Sequence, residues 1–409
     1  MKKAILLLFV VFSESLSLEM ILSKSGYLMK SLSILLIFLA FTKVGLSQSI
    51  PKEGLYLGQT PPGNEPEVFK LEVTPGSFPA ERIAVSNDGS EIYYSEIKSY
   101  YPVTGAKLKY YKYEKNKWTG PFVLFEEYWS PALSTSGDTM FFEKNHNTYY
   151  SVKNRSEWSN PKLCFNSIDS AHYLQVTNKG NYYVSARSKS SVGLSDWSKL
   201  HIIGKDTSAS SLGFPINNVS ENQDFYIAKD ESYMITCPGG PISISYPDKN
   251  GKWLNSRRLN KKINFGISGW GAYVTADQRY LFYTTGTKMD YSDVKIYWVS
   301  MGNIIDSMIH TNLPPYVKNV PKPQTAIVGQ MFSFIIPDDA FCDEDGNTII
   351  NEVLLLDGKP LPSWLVFDAK TKTLSGTPAE ADNIVLRINA YDEKKEMAAF
   401  RFIISVQNK

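Results

Sequence analysis

The feature that most restricts the fold of this chain is a hairpin pattern that occurs five times. In its first copy, RIAVSNDGSEIYYSE (82–96), a short alternating run is followed by a Ser-Asn-Asp-Gly turn and a second β-prone run. Asp and Gly readily adopt the backbone conformations that a tight hairpin turn requires. The later copies are PALSTSGDTMFFEK (131–144), YLQVTNKGNYYVSA (173–186), FYIAKDESYMITC (225–237) and AYVTADQRYLFYTT (272–285).

The spacing of these hairpins predicts a repeat architecture. The turn positions are Gly89, Gly137, Gly180, Glu231 and Gln278, so successive steps are 48, 43, 51 and 47 residues. Units of this length have room for about four strands each, which is typical of β-propeller blades. The many aromatic residues, 25 Tyr, 21 Phe and 8 Trp, also suit short packed strands.

A tryptophan follows a second β-prone run and a polar turn in several of the units. KLKYYKYEKNKWTGP (107–121) leads to Trp118, TYYSVKNRSEWSNP to Trp158, and SISYPDKNGKWLNS to Trp253. An indole buries a large area when its ring nitrogen has a partner, so we expect these rings to fill the gaps between neighbouring sheets. The third unit lacks a tryptophan at this place.

Three further motifs accompany the hairpins, namely GLYLGQTPPGNEPEVF (54–69), LGFPINN (212–218) and VKIYWVS (294–300). Together with the Ser-x-Asp-Gly hairpins they resemble the WD40-like PD40 propellers of the TolB-like superfamily, over residues 54–310. The resemblance implies a propeller domain, which we assign to residues 48–310. It usually implies six blades, whereas five hairpins are recognisable: either a sixth unit is degenerate, or residues 54–75 supply an outer strand that closes the last blade.

The C-terminal part of the chain predicts a second β domain. TNLPPYVKNVPKP (311–323) contains four prolines, which are incompatible with a central strand and indicate a short stiff linker. Alternating runs in residues 324–409 suit a seven-strand sandwich. LPSWLVFDAKTKTLSGTP (361–378), between FCDEDGNTI (341–349) and INAYDEKK (388–395), resembles the dystroglycan-type cadherin-like or Ig-like domain. The predicted fold class is therefore all-β, a propeller of five or six blades followed by a β-sandwich.

One acidic loop of the predicted sandwich is a candidate calcium site. In Asp343-Glu344-Asp345-Gly346-Asn347, oxygen ligands alternate around a glycine, which suits the flexible all-oxygen coordination of Ca²⁺. The cadherin-like resemblance implies calcium at such a loop, with a later aspartate contributing, and Asp392 matches that position. The candidate ligands are thus Asp343, Asp345, Asn347 and Asp392. The alternative is a solvated acidic loop held by its own turn hydrogen bonds.

The first 47 residues predict a signal or targeting segment. Their apolar runs, 4–12 and 32–41, are shorter than the about 20 residues that a membrane-spanning helix needs. The second run follows Met29-Lys30 and ends at Gly45-Leu46-Ser47, which resembles a signal-peptidase site. We expect translation to start at Met29 and the mature chain near Gln48, the alternative being a retained membrane anchor. The residue directly after the expected cleavage point is not a cysteine, so a lipid anchor is not predicted.

Several kinds of chemistry lack support in the sequence. The net charge of +2 gives no bias towards nucleic acid, and the three cysteines fall in three different units. The four histidines (His146, His172, His201 and His310) have no partner at metal-ligand spacing. No Gly-x-Ser-x-Gly nucleophile elbow is present, and FGISGWG (265–271) has the wrong spacing. Asp88, Asp230 and Asp277 recur at hairpin turns, where a structural role is favoured.

The function predicted from these observations is that of an exported, non-catalytic binding or adhesion protein, secreted, on the cell surface or in the periplasm. By resemblance, its propeller recognises a glycan or protein of the envelope or extracellular matrix, and the sandwich is a spacer or adhesion module with a candidate calcium site. No nucleic-acid partner and no stable transmembrane span are expected. The alternative is a polysaccharide lyase or glycosidase in the propeller channel, which converging carboxylates or histidines on the inner strands would favour.

Overall fold

In the described part of the chain, the regular secondary structure is almost entirely β-strand. The computed structural model describes residues 50–100, 102–165, 167–168, 170–203, 206–219, 221–237, 240–302, 304, 312, 314–343 and 349–409, and these residues belong to one unit, Ile50–Lys409. The predicted signal segment, 1–47, lies outside them. Two short 3₁₀ helices, Lys52–Gly54 and Tyr56–Gly58, and strand β1 (Glu67–Val68) precede the repeats.

The five predicted units form five antiparallel sheets, which we call blades 1 to 5 in chain order. Blade 1 is β2 (Phe78–Val85), β3 (Glu91–Ile97), β6 (Lys107–Glu114) and β7 (Lys117–Glu126), with a small hairpin of β4 (Ser99–Tyr100) and β5 (Val103–Thr104). Blade 2 is β8 (Trp129–Leu133), β9 (Thr139–Lys144), β10 (Asn147–Asn154) and a divided outer strand, β11 (Glu157–Trp158) and β12 (Lys162–Leu163).

The remaining blades follow the same order from the inside outwards. Blade 3 is β13 (His172–Val176), β14 (Tyr182–Ala186), β15 (Asp196–Ile203) and β16 (Asp206–Ser211). Blade 4 is β17 (Asp224–Ile227), β18 (Met234–Cys237), β19 (Ser243–Ser245) and β20 (Arg257–Arg258). Blade 5 has β21 (Ser268–Val274), β22 (Tyr280–Gly286) and β23 (Lys295–Ser300) from its own segment.

The N-terminal strand completes blade 5 and closes the ring. β1 pairs antiparallel with β23, with Glu67 opposite Trp298. The innermost strands contact one another in the order β2, β8, β13, β17 and β21, and β21 contacts β2. Of the two alternatives for the blade number, the one in which residues 54–75 supply the closing strand is therefore confirmed. Within the described residues the propeller has five blades around a central channel.

The hairpin turns lie at the positions that the sequence predicts. Gly89, Gly137, Gly180, Glu231 and Gln278 all have positive φ, with values of 74°, 77°, 74°, 62° and 57°. The aspartates at three of these turns accept hydrogen bonds from the backbone N–H two residues later, at 3.0 Å for Asp88, 3.0 Å for Asp230 and 3.2 Å for Asp277. These carboxylates therefore stabilise turns.

The recurring tryptophans pack in the gaps between blades, as predicted. The indole N–H of Trp158 in blade 2 donates to the Tyr93 hydroxyl of blade 1 at 3.1 Å. Trp253 of blade 4 packs in one cluster with Tyr183 of blade 3. Trp118 donates to the backbone carbonyl of Gly54 at 2.7 Å, and so ties the N-terminal segment to blade 1. All three indoles thus gain burial, and those of Trp158 and Trp118 also gain a partner for the ring nitrogen.

The C-terminal residues form a sandwich of seven strands in two sheets, with one additional pair. One sheet has the order β25 (Gln324–Ile327), β32 (Met397–Gln407), β31 (Asp382–Tyr391) and β28 (Ile350–Leu355). The other has the order β26 (Phe332–Ile335), β30 (Thr373–Gly376) and β29 (Leu365–Asp368). Two residues of the predicted linker form β24 (Tyr316–Val317), which pairs with β27 (Phe341–Cys342).

The sandwich packs against blades 3 and 4 of the propeller. Val219, which precedes blade 4, is 5% exposed and belongs to the hydrophobic core of the sandwich. The Asn255 side-chain amide donates to the Pro314 carbonyl at 2.5 Å, and Arg258 forms an ion pair of 3.1 Å with Glu396. These contacts place one edge of the sandwich close to the ends where the innermost strands begin.

The three cysteines are free thiols in three different units, as the sequence predicts. Cys164 lies in blade 2, Cys237 in blade 4 and Cys342 in the sandwich. Cys237 is buried, whereas the other two are partly exposed.

Candidate functional site

The innermost strands are irregular near the ends where they begin, and this irregularity shapes one mouth of the channel. The pairing register shifts between Ala80 and Ala84 in blade 1, and shifts also occur in blades 2, 3 and 5. Within these shifts four residues adopt positive φ: Glu81 (62°), Ser130 (56°), Tyr173 (59°) and Gly271 (67°). A left-handed conformation costs a non-glycine residue about 1–2 kcal/mol, and such strain is concentrated at functional sites.

A buried ion pair crosses the channel below this mouth. Arg82 of blade 1 is 1% exposed and donates to the carboxylate of Asp224 of blade 4, which is 3% exposed. Arg82 also donates to the Phe225 carbonyl at 2.5 Å, and the Gly271 N–H of blade 5 donates to the second oxygen of Asp224. Pairing and these hydrogen bonds offset part of the large cost of removing both charges from water, while the Nε and the other terminal nitrogen of Arg82 are buried without a hydrogen-bond partner.

Glu81 lies beside this pair and is the second buried carboxylate of the mouth. Its side chain is 7% exposed, and one of its carboxylate oxygens has no hydrogen-bond partner. Burial, with the nearby Asp224 carboxylate as the next cause, raises the pKa of Glu81 to about 8. Burial likewise raises the pKa of Asp224, although Arg82 opposes this effect. At neutral pH, therefore, Glu81 carries a proton that it can share or donate.

A cavity of about 760 Å³ opens above these groups, between the propeller and the sandwich. Glu81, Asp224 and Tyr173 line its floor on the channel side. Leu356 and Arg387 of the sandwich line the opposite side. The volume lies within the range of about 300–1,000 Å³ that is common for small-molecule sites.

Three aromatic side chains form one wall of this cavity. The ring centroids of Tyr100 and Trp270 are 5.4 Å apart, those of Trp270 and Tyr291 5.6 Å, and those of Tyr100 and Tyr291 5.7 Å. The Trp270 indole N–H donates to the Tyr100 hydroxyl at 2.8 Å. We call these three residues the aromatic wall. Because they support one another, they present fixed apolar faces to a ligand.

Polar residues from both domains complete the lining. Gln223 and Glu221 precede Asp224 on the propeller side, and Asp357 and Arg387 belong to the sandwich. The Arg387 Nε donates to the Asn389 side chain at 2.8 Å, which fixes the orientation of the guanidinium. The cavity thus combines an apolar wall with donors and acceptors from two domains.

The candidate calcium ligands are only partly within the described residues. Asp345 and Asn347 lie outside them, whereas Asp343 and Asp392 are described. The Asp392 carboxylate is 2% exposed and accepts hydrogen bonds from the N–H groups of Lys394 (2.8 Å) and Glu396 (2.9 Å) and from the Asn312 amide (2.6 Å). A carboxylate has about four acceptor positions, so one remains for a metal ion.

Two of the histidines lie together, which their sequence spacing does not indicate. The rings of His146 and His172 meet edge to face with centroids 5.4 Å apart, and the His172 Nδ1 lies 3.4 Å from a Glu143 carboxylate oxygen. In the ranges that the structure describes, no group of three or more His, Cys, Asp or Glu side chains is arranged to hold a metal ion.

The residues that line the mouth were not predicted as site residues from the sequence. Within the aromatic stretch 99–113, Tyr100 lies in the aromatic wall and Tyr111 is buried. A usable signal exists, because the mouth residues precede the hairpin turns by seven or eight positions. This spacing applies to Glu81, Tyr173, Asp224 and Trp270.

Comparison with known families identifies only the C-terminal domain. Residues 314–407 match the family model described as "Putative Ig domain". This agrees with the Ig-like resemblance of the sequence and with the observed sandwich, and no family model for a propeller matches. A search of curated proteins finds no match. No helix in the described ranges has the length and apolar character needed to cross a membrane.

Several solved structures show some similarity to this chain. TolB from Acinetobacter baumannii is 12% identical, with 54% of this chain and 56% of that chain covered and a TM-score of 0.36. The extracellular domain of a B. thetaiotaomicron protein described as a putative hybrid two-component system is 10% identical, with 83% and 46% covered and a TM-score of 0.34. A putative alpha-galactosidase from Bacteroides fragilis is 18% identical, with 23% and 18% covered and a TM-score of 0.19. The chain spans less than two thirds of each of these proteins.

Proposed function

We propose that the protein is an exported, non-catalytic binding protein whose ligand occupies the cavity between the channel mouth and the sandwich. The observation that carries the proposal is the aromatic wall of Tyr100, Trp270 and Tyr291, which stands beside buried and partly buried polar groups in a cavity of about 760 Å³. Ligand sites typically combine an apolar surface with a few polar groups of fixed orientation. The described residues of the mouth have both.

A glycan of the envelope or extracellular matrix is the ligand class that this lining favours. Aromatic faces stack on the apolar face of a sugar ring, and the hydroxyl groups of the sugar need both donors and acceptors. Arg387 supplies donors, while Gln223 and Asp357 supply acceptors. Because Arg387 and Asp357 belong to the sandwich, this domain contributes to binding as well as acting as a spacer.

The test is retention of the mature chain on a panel of immobilised envelope and plant polysaccharides, with released sugar measured in the same samples. Trp270→Ala and Tyr291→Ala should each weaken retention at least tenfold. Phe122→Ala is the matched control, since Phe122 is a 45% exposed aromatic on the outer strand of blade 1 and does not line the cavity. If both cavity variants are retained as strongly as the wild-type protein, the proposed site is wrong.

An enzyme remains the second candidate, and the carboxylates at the channel mouth favour it. Glu81, with a pKa of about 8, could donate a proton to a leaving group, and Asp224 lines the same cavity. However, the Asp224 carboxylate already accepts hydrogen bonds from Arg82 and from the Gly271 N–H, and this makes it a poor nucleophile or base. If the wild-type protein releases sugar and the Glu81→Gln variant does not, the protein is a glycosidase or lyase and not a non-catalytic binding protein.

Calcium binding by the sandwich is a further part of the proposed function. The ligands would be Asp343, Asp345, Asn347 and Asp392. The acceptor position that remains on Asp392 is compatible with one bond to a calcium ion. A calcium ion there would neutralise the acidic loop and hold it against the strand that ends at Tyr391.

A further inference from the structure

The tryptophans between the blades occupy one defined position of the repeat. In blade 2, Phe141 on β9 pairs with Tyr150 on β10, and three residues later Lys153 pairs with Trp158 on the outer strand. In blade 1, counting three residues along the strand from the pair of Tyr93 and Tyr110 leads in the same way to the residue that pairs with Trp118. In blade 4, the same count from the pair of Ile235 and Ile244 leads to the residue that pairs with Trp253.

Blade 3 has a different residue at this position. Tyr183 on β14 pairs with Lys199 on β15, and three residues later Ile202 pairs with Thr207 on β16. Thr207 therefore stands where the other three blades carry an indole. The third unit therefore lacks an indole at one specific point, in the gap between blades 2 and 3.

The equivalent gap between blades 1 and 2 shows what the indole contacts. Trp158 meets the ring of Tyr93 edge to face with centroids 5.9 Å apart, and its N–H donates to the Tyr93 hydroxyl. The Lys153 ammonium lies 5.5 Å from the centre of the indole. Tyr110, the strand neighbour of Tyr93, belongs to the same cluster.

The gap between blades 2 and 3 keeps these surroundings without the indole. It contains a cavity of about 520 Å³. Its apolar lining among the described residues is Phe141, Tyr150, Cys164, Phe165, Leu174, Val176, Tyr182 and Ile202, and polar residues of the turn at 134–139 line the rest. Phe141 and Tyr150 hold the register positions of Tyr93 and Tyr110. Ile202, at the position of Lys153, is 50% exposed and leaves an apolar rim.

The gap between blades 4 and 5 also lacks this tryptophan, but its interior is filled. Ile263, Met301 and Ile304 pack there against Ile235 and are each 4% exposed or less. Absence of the indole therefore opens a cavity only between blades 2 and 3, as far as the described residues extend.

We propose that this cavity is a binding site for a planar bicyclic aromatic group of indole size. Phe141 and Tyr150 reproduce the two strand positions that face the indole one blade earlier, and burial of an aromatic ring against such apolar side chains is favourable. The Tyr150 hydroxyl, which is in the lining, can accept a hydrogen bond from a ring N–H, whereas the Asp138 Oδ1 already accepts from the hydroxyls of Ser134, Ser136 and Thr139. The ring could belong to a free small molecule or to a tryptophan of a peptide.

The experiment is titration of the purified protein with indole and with N-acetyltryptophanamide, followed by calorimetry. We expect one saturable site for the free ring, and binding of the amide as well if the site accepts a peptide tryptophan. Thr207→Trp places an indole from the protein itself in the cavity, and should weaken ligand binding at least tenfold while raising the unfolding temperature. Ile202→Glu, which puts a charge on the exposed rim, should weaken binding without affecting folding.

Trp158→Ala provides a positive control within the same protein. It opens an indole-sized space between blades 1 and 2, and engineered apolar cavities of this kind bind small aromatic molecules. The variant should bind a second equivalent of indole. If it binds one equivalent and the wild-type protein none, the proposed site is wrong. The proposal is equally overturned if wild-type binding persists unchanged in both Thr207→Trp and Ile202→Glu.

Discussion

The Arg82 guanidinium donates a hydrogen bond to the Asp224 carboxylate, 142 residues further along the chain, and so joins blade 1 to blade 4 across the channel. These blades are not neighbours in the ring, because blade 5 lies between them on one side. The Gly271 N–H of blade 5 donates to the same carboxylate. One buried carboxylate thus connects three of the five blades.

Removal of the cation from this pair should strongly destabilise the protein. Arg82→Met leaves Asp224 buried without its counter-charge, so we expect the free energy of unfolding to fall by about 3–5 kcal/mol. The measurement is urea unfolding at neutral pH. Arg279→Met is the control, because Arg279 pairs with Asp277 at the surface and its side chain is 51% exposed. Its effect should stay below about 1 kcal/mol. Equal losses in the two variants would contradict the structural role of the channel pair.

The protonated state of Glu81 should make stability depend on pH. The folded protein holds this proton up to about pH 8, whereas the unfolded chain releases it near the ordinary value of 4.5. The folded state therefore binds more protons between these pH values, and the free energy of unfolding falls as the pH rises through them. The contribution is roughly 3–5 kcal/mol at pH 8 relative to pH 4.5.

Glu81→Gln tests this dependence because glutamine has no proton to lose. The difference in unfolding free energy between variant and wild type should grow in favour of the variant from pH 5 to pH 8. Urea unfolding at pH 5, 6, 7 and 8 measures it. A difference that is constant over this range would show that Glu81 is already ionised in the folded protein at pH 5.

Gly271 should tolerate no side chain. Its φ is +67°, and a Cβ atom there would lie 2.5 Å from the carbonyl oxygen of Glu81 on the neighbouring innermost strand. We expect Gly271→Ala to cost about 3 kcal/mol or more, since strain and overpacking add. Gly180→Ala is the matched control, with φ +74° and nothing within 4 Å of the added Cβ. It should cost only about 1–2 kcal/mol. Similar costs in thermal or urea unfolding would show that blades 1 and 5 can separate at this point.

Calcium should stabilise the sandwich if the proposed site forms. With an extracellular-type dissociation constant of about 10⁻⁴–10⁻³ M, 10 mM Ca²⁺ should add about 1.4–2.7 kcal/mol to the free energy of unfolding. Unfolding with Ca²⁺ and with a chelator measures the effect. Asp345→Asn should remove it, whereas Asp382→Asn, at an exposed position of β31, should leave it intact. No difference between calcium and chelator in the wild-type protein would favour the solvated-loop alternative.

The repeated hairpins were predictable because their determinants are local. Gly89 and Gly137 supply the positive φ that the turns need, and the alternating runs on either side form adjacent strands. The gaps between blades were partly predictable for the same reason, since Trp118, Trp158 and Trp253 occupy a fixed place in each repeat. The sandwich also follows local signals, including the turn between Asp368 and Thr373.

The binding cavity was not predictable, because its residues come from separate blades and from the sandwich. Glu81, Tyr173 and Asp224 each stand seven or eight residues before a hairpin turn, but this spacing alone does not show that they converge, and Arg387 belongs to another domain. The aspartates that the sequence does single out, such as Asp88, close hairpin turns.

The sequence by itself determined the all-β class, the four-strand repeat, the turn positions and the Ig-like C-terminal domain, since these depend on periodicity and turn chemistry within a few residues. Only the tertiary structure decided the number of blades, because it depends on β1 pairing with β23 about 230 residues later. Ring closure then brings Arg82 to Asp224 and Glu81 to the mouth. Their low exposure and the raised pKa of Glu81 arise from this convergence, which no short segment of the chain encodes.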